Sequence, residues 1–318
     1  MRAWVAGLLA AALVGACSHD DSLKRVQARG ELVVVSRNGP TTWYEGPFGP
    51  EGLEYTLASR FAEHLGVRLR MVQADSIPEM FAMVQSGRAD LAAAGITVTP
   101  ERQKFLLFGA PYLEVREMVV CRRGGVAPRS LEDLEKQKIT LVVAAGTSYV
   151  GTLAALRRKH PKLAFVVDED NETVDLLRMV WERKIPCTVA DSTIADAVRR
   201  FLPELAPRFA LTEPRPIAWA FAPKAKALRD AAARWIEGLR ARGALARIRM
   251  RYFGHLQMFD YVDTRRFLKA TVRRLPPLRP IFEAAAKQTG FPWTLLAAQA
   301  WVESQWDPYA TSPTGVRG

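Results

Sequence analysis

Short apolar runs alternate along this chain with longer segments whose apolar residues recur at helical spacing, the pattern that most restricts its fold. Glu31-Leu32-Val33-Val34-Val35, Arg68 to Val72 and Asp90 to Ala94 read as strands. Between them, Tyr55 to Leu65 carries Leu57, Ala58, Phe61, Ala62 and Leu65 on one helical face and stops at Gly66. Ile77 to Gly87 ends at its own glycine. The pattern restarts after Tyr112, with strands predicted at Met118 to Cys121, Thr140 to Val143, Phe165 to Val167 and Thr188 to Asp191. Helices are predicted at Tyr149 to His160, at Thr173 to Lys184 and from Asp191 through Phe201. Ile217 to Phe221 reads as a further strand, and Pro223 to Tyr252 as two helical pieces broken near Gly243. An α/β fold follows. With 318 residues, 49% hydrophobic, the chain is long enough for two or three compact units.

The first residues form a separate signal. Met1-Arg2 precedes an apolar run from Ala3 to Ala16, too short to span a bilayer stably, so residues 1–16 read as a signal peptide. Val14-Gly15-Ala16-Cys17 resembles the bacterial lipobox. That resemblance implies a lipidated Cys17 at the head of a spacer, residues 17–30, and Ser18 after it implies the periplasmic face of the outer membrane. An ordinary signal peptide cleaved near Ala16 is the alternative. In an oxidising compartment, Cys121 and Cys187 read either as a disulfide or as two core residues. His19, His64, His160 and His255 lie far apart without paired ligand spacing, so no metal and no other cofactor is expected. The net charge of +12 is spread along the chain with no cluster dense enough to suggest nucleic acid. It reads either as an arginine-rich solvated surface or as attraction to an anionic envelope, including peptidoglycan carboxylates and lipid phosphates.

More specific motifs lie on the α/β frame. They are Gly95-Ile96-Thr97-Val98-Thr99-Pro100-Glu101-Arg102, Ala110-Pro111-Tyr112, Ser130-Leu131-Glu132-Asp133-Leu134, Ala145-Gly146-Thr147-Ser148, Val189-Ala190-Asp191-Ser192 and Tyr252-Phe253-Gly254. In this order they resemble the extracellular solute-binding proteins of family 3. The resemblance implies a two-lobed, type II periplasmic-binding-protein-like domain over 31–254, with lobe 1 at about 31–112 and 216–254 and lobe 2 at about 113–215. A small amino acid or muropeptide would bind between the lobes. Arg102 would present its planar fork to a carboxylate, and Thr97 a hydroxyl and amide beside it. Thr147, where a helix begins, would meet an anion, and Asp191 at a strand end would pair with an ammonium. Without the family pattern, Arg102 and Asp191 would read as ordinary surface contacts. A stacking aromatic is expected at Trp43 or Tyr44, beside the stiff Gly46-Pro47-Phe48-Gly49-Pro50 loop.

Beyond a connector at 255–275, composition changes again. Ile281 to Thr289 reads as a helix stopped by Gly290, and Pro292 opens another over Trp293 to Ser304. Leu295, Leu296, Gln299, Val302 and Glu303 fall at spacings of three and four, which predicts a partly desolvated Glu303 with a raised pKa. Glu303-Ser304, Trp306-Asp307-Pro308, Ala310, Ser312-Pro313 and Gly315-Val316-Arg317-Gly318 resemble the lytic transglycosylase signature of the goose-lysozyme-like fold. By that resemblance peptidoglycan is the substrate, Glu303 is the catalytic acid and base, Ser312 supports the cleft and Asp307 shapes a turn. Together with Phe259-Asp260-Tyr261-Val262-Asp263-Thr264 in the connector, the two halves are similar to membrane-bound lytic transglycosylases whose binding domain regulates wall cleavage. Residues 276–318 supply about two helices and a loop, an incomplete α-helical lysozyme-like segment from which negligible cleavage is expected. A lipoprotein that binds amino acids or peptides without catalysis is the alternative.

Overall fold

The computed structural model describes residues 20–46, 49–254 and 260–311. A short helix, α1 (Ser22–Arg29), leads into a five-stranded sheet of order β4-β1-β5-β14-β6. It is built from β1 (Glu31–Ser36), β4 (Arg68–Gln73), β5 (Leu91–Ala92), β6 (Leu107–Phe108) and β14 (Ala220–Phe221). The hairpin β2 (Tyr44–Gly46) and β3 (Gly49–Glu51) lies outside this sheet. Strand β1 is apolar on both sides because both are covered, Leu32 and Val34 on one and Val33 and Val35 on the other. Helices α2 (Leu53–Leu65), α9 (Lys226–Ala241) and α10 (Ala244–Phe253) pack on the first side; α3 (Ile77–Gln85) packs on the second. Gly243, with φ +67°, makes the predicted break between α9 and α10.

The second sheet has the order β10-β9-β11-β8-β12. Its strands are β8 (Glu117–Arg122), β9 (Leu141–Ala144), β10 (Phe165–Asp168), β11 (Cys187–Asp191) and β12 (Leu205–Ala210). Helices α5 (Leu131–Lys136) and α6 (Ser148–Arg157) lie on one side, α7 (Thr173–Trp181) and α8 (Ser192–Val198) on the other. Cys121 and Cys187 stand opposite each other on β8 and β11 and are joined by a disulfide, the choice composition left open. The two sheets are connected by an antiparallel ribbon, β7 (Leu113–Val115) with β13 (Arg215–Ile217). The strand predicted over Ile217 to Phe221 is therefore divided. Its first residue belongs to the ribbon and its last two to the first sheet, because the pairing partner changes at Ala218 and Trp219.

At that crossing sits a buried carboxylate. Glu54 on α2 accepts hydrogen bonds from Trp219 Nε1 (2.9 Å), the Gly95 amide (2.7 Å) and the Tyr112 hydroxyl. Burial raises its pKa, and the three donors oppose the rise.

The C-terminal segment is helical: α11 (Tyr261–Arg273), α12 (Leu275–Thr289) and α13 (Trp293–Ser304). Helix α12 begins earlier than Ile281 because Pro276 and Pro277 fall in its first turn, where no amide donor is needed. Ala270, Ala297 and Trp306 form its small core, with Trp306 Nε1 donating to the Ala297 carbonyl at 2.7 Å. Helix α11 touches the second sheet's unit, where Arg265 pairs with Glu204 at 3.5 Å and Arg123 lies over the Tyr261 ring at 4.6 Å. Among the described residues no helix is long and apolar enough to cross a membrane.

Candidate functional site

A cleft of about 350 Å³ lies between the two lobes. Its first-lobe wall is prepared by one turn of helix, α4 (Pro100–Gln103), opened by Pro100 and capped by Thr99, whose hydroxyl accepts from the Arg102 amide at 3.3 Å. This holds the Arg102 guanidinium in the cleft, 5.3 Å from the Phe81 ring centroid. One terminal nitrogen donates to the Thr97 carbonyl (2.9 Å), the other across the cleft to the Gly146 carbonyl (3.1 Å). The fork predicted for a ligand carboxylate thus also clasps the two lobes. Thr97 is buried and bridges to Ile217, beside the ribbon.

Gly146 permits this approach. Its φ is +71°, and a Cβ there would meet Pro78 Cδ of the other lobe at 2.9 Å. Thr147 follows at the N-cap of α6, but its hydroxyl donates to the Ala144 carbonyl (2.7 Å) rather than capping the helix. A second contact joins the lobes where Arg37 pairs with Glu172.

Asp191 ends β11 on the floor of the cleft, with its amide donating to the Tyr149 hydroxyl at 2.9 Å. Among the described residues its Oδ1 has no hydrogen-bond partner. Beside it in the β8–β11 register stands Glu117, wholly buried. Glu117 Oε1 accepts from Ser148 Oγ (2.7 Å) and Arg215 (3.1 Å), while Oε2 is unpartnered among the described residues. Burial, reinforced by the Glu117 charge, pushes the Asp191 carboxyl up to about 7, against the opposing pull of Tyr149, Arg102 and Arg215. Thr97, Arg102, Thr147 and Asp191 therefore line one cleft.

Sequence reading missed Glu117, because only strand pairing sets it beside Asp191. Among the described residues the aromatic rings lining the cleft are Phe81 and Tyr149, not Trp43 or Tyr44; Tyr44 lines a larger groove of about 910 Å³ nearer α11. Helix α3 brings Ile77 and Pro78 against Gly146 of the opposite lobe, whereas Tyr44 and Glu51 of the hairpin face Ala197, Arg200 and Phe201 across the larger groove.

Glu303 occupies the last turn of α13, as the spacing predicts, but it is exposed rather than desolvated. Its carboxylate accepts from Gln299 Nε2 at 3.2 Å. The helix packs through Ala297, Ala300 and Trp301, leaving Leu295 52% and Val302 83% exposed on the stripe that was to bury the acid. Asp307 Oδ1 accepts from the Tyr309 amide (3.0 Å) and shapes the turn after the helix. Cys17 and Ser312 lie outside the described residues.

Residues 32–255 match the bacterial extracellular solute-binding proteins, family 3. Over nearly the whole chain there is similarity to proteins named membrane-bound lytic murein transglycosylase F. The Maricaulis maris protein is 43% identical over 98% of this chain and 70% of its own length. An Alkalilimnicola ehrlichii relative is 42% identical over 93% of this chain and 60% of its own length. The Vibrio cholerae relative is 38% identical over 100% of this chain, which spans 62% of it. Among solved structures, a mutant of ArgBP from T. maritima superposes with a TM-score of 0.65 at 22% identity, covering 73% of this chain and 99% of its own. An ancestral amino acid-binding protein, a precursor of cyclohexadienyl dehydratase, gives 0.64 at 22% identity over the same shares. These two likenesses speak for the two-lobed fold.

Proposed function

The chain belongs to the membrane-bound lytic murein transglycosylase F family and carries a family 3 solute-binding domain over residues 32–255; on that premise we propose that it takes part in cleaving peptidoglycan, with the interlobe cleft as a regulatory receptor. The reaction breaks the β-1,4 bond between N-acetylmuramic acid and N-acetylglucosamine without water. Glu303 is the catalytic residue. Its carboxyl protonates the leaving glycosidic oxygen, and the resulting carboxylate then takes the proton from the muramic C6 hydroxyl as that oxygen attacks C1. A 1,6-anhydro end and a free N-acetylglucosamine end result, and the carboxyl is regenerated. One carboxylate serves both steps, unlike the paired acids of ordinary glycosidases.

The observation that carries this reading is a similarity covering 98% of the chain, which takes in both the binding domain and α13, where Glu303 stands. The exposure of Glu303 implies that turnover needs further walls around it, so residues 276–318 are a catalytic segment that acts only within a closed cleft. The interlobe cleft takes a small amino acid or a wall peptide, and a Cys17 lipid anchor on the outer membrane keeps the protein beside its substrate.

The test is a graft. Residues 276–318 replacing the matching segment of the Vibrio cholerae relative should preserve release of anhydro-muropeptides from purified sacculi, provided the host releases them. Glu303→Gln within the graft should lower that release by at least 100-fold, a general acid being worth about 10²–10⁴. Equal release by both grafts removes Glu303 from the chemistry and leaves a ligand-binding lipoprotein.

A further inference from the structure

The start of α9 is capped by residues far away in sequence. Ser22 Oγ accepts from the Leu228 amide at 3.1 Å, and Asp20 Oδ2 from the Ala227 amide. These are amides that a helix's own first turn leaves unpaired, and α9 has no side-chain cap of its own. The N-terminal segment is therefore fastened to α9 at Asp20, three residues after Cys17. Three residues reach at most about 10 Å.

The helices that follow the fastening point are rich in basic residues. Helices α9 and α10, residues 226–253, contain eight Lys and Arg against two acids, a net +6 that is half of the chain's +12. Helix α1 packs against α9 and adds Lys24 and Arg25, while its Arg29 pairs with Asp90. Around the fastening point Lys24, Arg25, Lys224 and Lys226 are exposed. Asp21 lies 4.0 Å from Lys24, and Asp20 is occupied in capping. A charge matters to a surface within a Debye length, about 8 Å at physiological salt.

We propose that this face, formed by α1 and α9 around Lys24, Arg25, Lys224 and Lys226, docks onto an anionic phospholipid surface. The proposal rests on the reading of Cys17 as the anchor, which sets the face against the headgroups. A wall polymer would also offer negative charge, but the short tether to α9 favours lipid. Docking fixes which side of the binding domain faces away from the membrane, something an acyl chain on a free spacer does not do.

Vesicle flotation tests this with the mature chain carrying Cys17→Ser, exported behind a conventional cleavable leader, so that no acyl chain contributes. Vesicles containing 30% phosphatidylglycerol should carry the protein at low salt and release it at high salt; pure phosphatidylcholine should not carry it. Lys224→Glu with Lys226→Glu should reduce binding by more than about tenfold, each basic residue near an anionic surface contributing about fivefold. Lys159→Glu with Lys162→Glu, an equal charge change on exposed second-lobe positions, should leave it within about twofold. Equal binding to neutral vesicles, or equal loss in both variants, overturns the proposal. So does binding to purified sacculi alone that the first variant abolishes. Palmitate labelling of wild type against Cys17→Ala tests the anchor separately: labelling without flotation keeps the anchor and rejects the face.

Discussion

Asp191 is the residue whose chemistry depends most on its surroundings. As a strand-end aspartate it is legible in sequence, whereas its ionisation is set by Glu117 across the strand pair and by burial. With the folded carboxyl at about 7 and an unfolded one near 4, the folded state holds the extra proton between those values. Stability contributed by this group is thus fully present below about pH 4 and declines as pH rises towards 7. Asp191→Asn removes this dependence. Its stability relative to wild type, measured by urea unfolding, should rise between pH 5 and 8 by roughly 2–4 kcal/mol. A difference that stays flat over that range removes the burial argument. Gly146 shows the same division: its turn is legible as Ala-Gly-Thr-Ser, but its necessity comes from Pro78 of the opposite lobe.

At the scale of elements, hydrophobic period located most helices and strands because β1 and β8 are buried on both faces and α9 on one. It failed where local pattern does not fix the partner. The run Ile217 to Phe221 serves two sheets, β12 was not foreseen, and α13 buries small alanines and Trp301 rather than its leucine stripe. Strands β8 and β11 also show what pairing adds. Their disulfide lies at one end and the Glu117–Asp191 pair at the other, so one register sets both. The bridge spans a sequence separation of 66 residues in a fully buried position. Replacing both cysteines by alanine should lower stability by about 2–4 kcal/mol, read as a lower urea midpoint. An unchanged midpoint means the strands hold their register without it.

For the whole molecule, the two lobes are joined by the β7–β13 ribbon and touch again through Arg102–Gly146 and Arg37–Glu172. The C-terminal helices leave the first lobe after α10, yet α11 contacts the second through Arg265 and Tyr261. The regulatory reading proposed above would act through these contacts of α11 with the second lobe. Titration calorimetry with free amino acids and wall stem peptides should give heat with a ligand of one class, weakened at least tenfold by Arg102→Ala. An Arg–carboxylate contact is worth about 1.5–3 kcal/mol, and tenfold is about 1.4 kcal/mol. No heat from either class in a folded sample ends the receptor claim.

The sequence by itself determined the α/β frame and the helix bearing Glu303, which depend on local period, and the ordered family motifs carried the two-lobed fold and singled out Thr97, Arg102, Thr147 and Asp191, which line one cleft. Tertiary structure alone decided the rest: the cysteine pairing, the carboxylate beside Asp191, the clasp made by Arg102, the exposure of Glu303 and the capping of α9 by Asp20 and Ser22. Those depend on which distant segments meet, and burial and electrostatics act through such contacts whatever the spacing along the chain.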